Sequence, residues 1–183
     1  FMTSPEINID PTIAGSVVGT YWFLMMIGRL CGASIGAKVS SRAMLTVVST
    51  VGIVLVLGAI FCADNILVNM PVFKSDISFG FAQVPVNVML LILCGLCTSV
   101  MWGGIFNLAV EGLGKYTAAA SGLFMVMVCG GGILPLIQGG VADFAGFLNS
   151  YWVIALGLAY ILFYAAIGSK NVNTDIPTDD YEA

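Results

Sequence analysis

Residues 86–110 read VNVMLLILCGLCTSVMWGGIFNLAV and contain no charged side chain. Wound as a helix at 1.5 Å per residue, this stretch is about 37 Å long, enough to cross the roughly 30 Å hydrocarbon core of a bilayer. A helix also satisfies every backbone N–H and C=O within the segment, which lipid requires. Comparable apolar runs recur along the chain and predict spans at 13–35, 44–62, 86–110, 118–142 and 151–168, each bounded by charges, Pro or Asn. The composition agrees: 59% of residues are hydrophobic and 9% charged, with a mean hydropathy of +1.02, against about 25% charged residues in a soluble domain. A membrane β-barrel would show short alternating segments, which are missing here. The expected fold class is all-α integral membrane, with five transmembrane helices.

The formal net charge of −4 says little about partners, because the charges lie in loops and in the tail residues Asp175, Asp179, Asp180 and Glu182. No basic patch points to nucleic acid. The chain opens on Phe1 with no leader or cleavage site that reads as a signal peptide, and is expected to be a piece of a longer protein. Cys94-Gly-Leu-Cys97 has thioredoxin-like spacing but lies inside an apolar run, with no preceding strand and no cation to stabilise a thiolate. With no His and with Cys31, Cys62 and Cys129 scattered, neither a metal nor a cofactor is expected. No pair of titratable groups sits at membrane depth, which argues against an enzyme.

Lys and Arg set the orientation. Placing the 36–43 loop inside collects Lys38, Arg42, Lys115, Lys170 and the inner-end Arg29 on the cytoplasmic face and leaves Lys74 alone outside. The C-terminus is then cytoplasmic. A constant shift of 107 residues carries Gly15 to Gly122, Gly32 to Gly139 and Met44 to Tyr151. The same shift puts a counterpart of 86–110 mostly upstream of Phe1, with Thr3 in its last turn. Residues 1–12 are therefore read as the end of a preceding helix and an outer loop, and 13–62 as two helices of an incomplete three-helix repeat. Residues 63–85 form an extracytoplasmic loop, 86–168 a complete repeat, and 169–183 a cytoplasmic tail. A repeat with an odd number of spans is inverted in its second copy, a signature of secondary transporters.

Several residues are candidates for function. Gly28, Gly32 and Gly36 form a four-residue stripe that lets helix backbones approach, a packing device. Arg29 lies about 9 Å inside its span end; snorkelling to the interface and gating with Glu111 both fit. Asp143, in Gly139-Gly-Val-Ala-Asp143-Phe-Ala-Gly146, stands at a helix end where a carboxylate can accept from the N–H groups of a neighbouring helix. Gly130, Gly131, Gly132 and Pro135 interrupt the fourth span, as a hinge or a tolerated kink. Trp102, Phe106, Asn107 and Gln138 combine ring faces with amides, as a sugar site does, because pyranose C–H faces stack on rings while hydroxyls need donors and acceptors. Helix-to-helix hydrogen bonding would explain Asn107 and Gln138 equally.

Met26-Ile-Gly-Arg29-Leu, Ile105-Phe-Asn-Leu-Ala-Val-Glu-Gly-Leu-Gly114, Gly130-Gly-Gly-Ile133 and Gly139-Gly-Val-Ala-Asp143-Phe-Ala-Gly146 stand in an order that resembles the major facilitator superfamily, in its fucose-proton symporter and glucose/galactose transporter group. The resemblance implies twelve helices in two halves, with helices eight to twelve here, and a central sugar site between the halves that alternates in access. Trp102 matches a cavity-lining aromatic on helix ten. The implied function is a secondary transporter that imports a monosaccharide with protons across the inner membrane, its partners being the sugar, the proton, the bilayer and the N-terminal half. An exporter of drugs or metabolites on the same fold and a non-transporting subunit are the alternatives. The inner loop departs from the superfamily pattern in having Gly36 where an acid is usual, and the carboxylates expected to couple protons belong to the N-terminal half.

Overall fold

The computed structural model describes residues 2–3, 9–62, 66–74 and 78–170 of the chain. Helix α1, Pro11–Gly36, starts where Asp10 caps it by accepting from the Thr12 amide at 2.8 Å and where Pro11 presets the first turn. That hydrogen bond holds the Asp10 carboxyl below its usual range. Helix α2, Ser41–Phe61, is capped by Ser40, whose hydroxyl accepts from the Ala43 amide at 3.3 Å. Helix α3, Val86–Val110, follows Pro85 without a linker. A 3₁₀ turn at Gly114–Tyr116 leads into α4, Thr117–Met127, and then α5, Gly130–Ala145. Helix α6, Phe147–Phe163, continues into a π-helical turn at Tyr164–Gly168. Gly146 joins α5 to α6 at φ 88°, a conformation open to glycine at little cost. With α4 and α5 counted as one, five helices among the described residues are long and apolar enough to cross a membrane. The expected tail from Asn171 onward lies outside the described residues.

The segment expected as a loop at 63–85 folds instead, over its described residues, as an antiparallel ribbon of β1, Leu67–Phe73, and β2, Phe79–Pro85. Leu67 pairs with Pro85 and Phe73 with Phe79. Its buried face, with Met70, Val72, Ala82 and Val84, packs on Val17 of α1 and Val88 and Ile92 of α3. The Phe73 amide donates to Thr20 Oγ1 at 2.8 Å, and the Phe73 ring stacks on Phe23 with centroids 5.1 Å apart. A second core joins α2, α3 and α6 through Leu45, Val56, Cys94, Cys97, Met101, Ala155 and Leu158. Cys94 and Cys97 are free thiols buried in that core, one turn apart on the same face of α3.

Helix α1 packs on α3 where the glycine stripe allows it. A Cβ on Gly28 would collide with Ser99 Oγ, and one on Gly32 with Val100 Cγ1. Gly36 is looser, its nearest neighbour being Met44 Cε at 3.8 Å. In the fourth span the break falls at Val128–Cys129, just before the three glycines. The amides of Val128, Cys129, Gly131 and Gly132 bond there to carbonyls three residues back, a locally tightened turn. Pro135 lies inside α5.

Gly32→Leu is expected to cost on the order of 1–3 kcal/mol by overpacking, seen as a lower melting temperature of the detergent-purified protein. Gly15→Ala, which meets no atom within 4 Å, should leave that temperature unchanged. An unmoved melting temperature for Gly32→Leu would show that the two helices do not meet there.

Candidate functional site

Helix α3 packs on α1 through Ser99 and Val100 and on α2 and α6 through Cys94, Cys97, Met101 and Leu108; Trp102, Gly103 and Asn107 stay exposed and Phe106 is half-buried. Trp102 is 48% exposed. Trp102 and Phe106 are one turn apart, and both touch the ring of Phe124 on α4, with centroids at 5.3 Å and 5.4 Å and interplanar angles of 62° and 74°. Such edge-to-face contacts suit the ring quadrupoles and fix the orientation of each ring. Phe124 is the one member of this cluster that the sequence reading did not single out. It is reached by counting equally far in both directions from the Glu111–Tyr116 connection, because α3 and α4 run antiparallel and residues equidistant from the turn share a depth.

Beside the rings, Arg29, Gly32, Gly36, Ser41, Ser99 and Asn107 line a cleft of about 340 Å³ between α1 and α3. The glycines keep it open. Asn107 Nδ2 donates to Ser41 Oγ at 3.5 Å. Arg29 Nη2 reaches Met25 Sδ at 3.6 Å, and no ion pair joins it to Glu111. Glu111 instead lines an adjoining depression of about 650 Å³ with Ser40, Ser41, Arg42 and Asn107. Arg42 closes the end of that depression by donating to the Ser169 carbonyl at 3.0 Å, which ties α2 to the end of α6.

Arg29 and Trp102 lie at similar depths, roughly 10–12 Å from the Gly36 and Val110 ends of their helices. Gln138 does not join them. It is half-buried on α5, which packs on α6, and lies about 30 Å along the span from Thr117, whereas Asn107 is within one turn of the Val110 end of α3. The two amides thus serve opposite ends of the bundle. Asp143 is exposed in the last turn of α5 and makes no side-chain hydrogen bond to a described residue. Among the described residues no group of three or more His, Cys, Asp or Glu could hold a metal ion. The open face can therefore offer ring stacking, an amide, hydroxyls and one guanidinium, a set suited to holding a polar solute.

No family model matches the chain, and no solved structure matches it. Curated relatives do. The chain is 30% identical over 172 residues to the glucose/galactose transporter of Brucella abortus biovar 1 (strain 9-941), which is 93% of this chain and 37% of that protein. It is 33% identical over 92 residues to the L-fucose-proton symporter of Escherichia coli (strain K12), covering 50% of this chain and 21% of that protein. The chain thus spans little more than a third of the length of its glucose/galactose transporter relative. The chain is thus similar over nine-tenths of its sequence to glucose/galactose transporters of the major facilitator superfamily and over half of it to a fucose-proton symporter, and five membrane-length apolar helices among the described residues make it a multi-pass membrane chain.

Proposed function

We propose that the chain is part of the C-terminal half of a secondary active transporter that imports a monosaccharide of the fucose, glucose or galactose type together with protons, by alternating access across the inner membrane. The observation that carries this reading is the Trp102, Phe106 and Phe124 cluster between α3 and α4, with the Asn107 amide in the cleft one turn on, in a chain whose relatives are named for sugar transport. The rings supply a stacking surface for the sugar C–H face, and Asn107 supplies two-way hydrogen bonding for hydroxyls. Gln138, at the far end of the fourth span, serves solute entry on the other side. Arg29 and Glu111 set the inner mouth, and Asp143 the outer end of α5. The break at Val128–Cys129 with Gly130, Gly131, Gly132 and Pro135 lets the two parts of that span move separately. The remaining half of the fold supplies the other wall of the cavity and the proton-coupling carboxylates.

Cells expressing the full-length gene should accumulate at least one of labelled fucose, glucose or galactose, and an uncoupler should abolish the accumulation. Trp102→Ala and Phe124→Ala should each reduce uptake at low sugar about tenfold, the loss of roughly 1.4 kcal/mol of stacking, while Gln138→Ala should do less. Failure to accumulate any of the three sugars would sink the import reading.

The orientation has its own test. Alkaline phosphatase fused after Lys170 or within the Glu111–Tyr116 connection should be inactive, and active when inserted between Lys74 and Ser78. The reverse pattern would invert the assignment of the membrane faces.

A further inference from the structure

Helices α1 and α2 both pack on α3 but make little contact with each other. The wedge between them is a groove of about 370 Å³. Its floor is Leu96 and Val100 of α3, and its walls are Cys31 and Ile35 of α1 and Ala43 and Val47 of α2. All six lie within segments long and apolar enough to cross a membrane, and all but the half-buried Val100 are exposed. No side chain lining the groove carries a charge, an amide or a hydroxyl.

Water does not fill such a groove, because an ordered water needs two to four polar partners. Left empty, the groove would forfeit dispersion contacts along its whole lining. Its shape selects among apolar occupants. Gly28 and Ile35, which bound it along α1, are about 10 Å apart on the helix axis, so its mean cross-section is roughly 35 Å² against about 80–110 Å² for a helix 10–12 Å across. An extended alkyl chain fits that width and a helix does not. The mouth of the groove adds charge. Lys38 stands between the lining residues Ile35 and Val39, is exposed, and makes no side-chain hydrogen bond or ion pair to a described residue. Arg42, next to Ala43, donates to the neutral Ser169 carbonyl, which leaves its charge uncompensated, and Lys170 follows Ser169. The acid nearest these cations, Glu111, shares a separate depression with Arg42.

We propose that the α1–α2 groove binds one anionic phospholipid, with an acyl chain lying on Leu96 and Val100 and the phosphate held by Lys38. The site requires only that the chain spans a membrane and is independent of the sugar reading. Gly32, Met44 and Val100 line both this groove and the Arg29 cleft. The bound chain therefore fixes one wall of that cleft by filling the wedge behind it.

The test reconstitutes the full-length protein with equal amounts of phosphatidylglycerol and phosphatidylcholine of matched chains, releases it into mild detergent and reads the retained lipid by native mass spectrometry. One phosphatidylglycerol should stay bound in preference to phosphatidylcholine. Lys38→Gln should lower that preference about fivefold, and Val47→Trp, which fills the groove, should remove the retained lipid. Val54→Trp, comparably exposed on α2 but outside the groove, should retain it. Equal retention of the two lipids, or an unchanged preference in Lys38→Gln, would overturn the headgroup assignment and with it the site. So would retention that survives Val47→Trp or is lost equally in Val54→Trp. Absence of any bound lipid from the unsubstituted protein would show that the rest of the chain covers the groove, which also overturns it.

Discussion

The close approach of α1 to α3 at Gly28 and Gly32 is the constraint on which the rest of the structure depends. Membrane helices gain no hydrophobic free energy by leaving lipid for each other, so their contacts rely on dispersion between closely fitted surfaces. Two missing side chains bring the α1 backbone within reach of Ser99 and Val100. That contact sets which flank of α3 is covered. Because α1 occupies the Ser99 and Val100 side, Trp102 and Phe106 are left for Phe124 of α4, and the cleft that holds Arg29 and Asn107 forms where α1 and α3 part.

The hairpin depends on the same pair of helices. It is continuous with α3 through Pro85 and packed on α1 through Val17, Thr20 and Phe23. The α1–α3 contact is thus tied twice, by glycines toward one end and by the ribbon toward the other. On the far side of α3, α4 contributes Phe124 but no buried residue, and α5 none either. Helix α3 is thus held firmly by α1 and by α2, and only lightly by α4.

Much of this was legible in the sequence because lipid is an exacting solvent. It demands about twenty apolar residues per crossing, so the ends of 86–110 and of the first two spans are read to within a few residues. The hairpin was not legible. Asn69, Pro71, Lys74, Asp76 and Gly80 interrupt 63–85, and β1 mixes Leu67, Asn69 and Pro71 on its outer face, so no clean alternation marks it as a strand. Its order comes from α1, a tertiary contact that local pattern does not encode. Phe124 escaped notice for a similar reason. One aromatic in an apolar run has no signal of its own until the depths of α3 and α4 are matched. The stripe reading held for Gly28 and Gly32 and overreached at Gly36, where the helices have already diverged.

The fourth span is the least enclosed of the five spans among the described residues. No described residue of α4 or α5 is buried, although α5 lies along α6 and α4 touches α3. Phe124 therefore ties Trp102 and Phe106, on the most buried span, to the least buried one, so the shape of the aromatic cluster follows the position of α4.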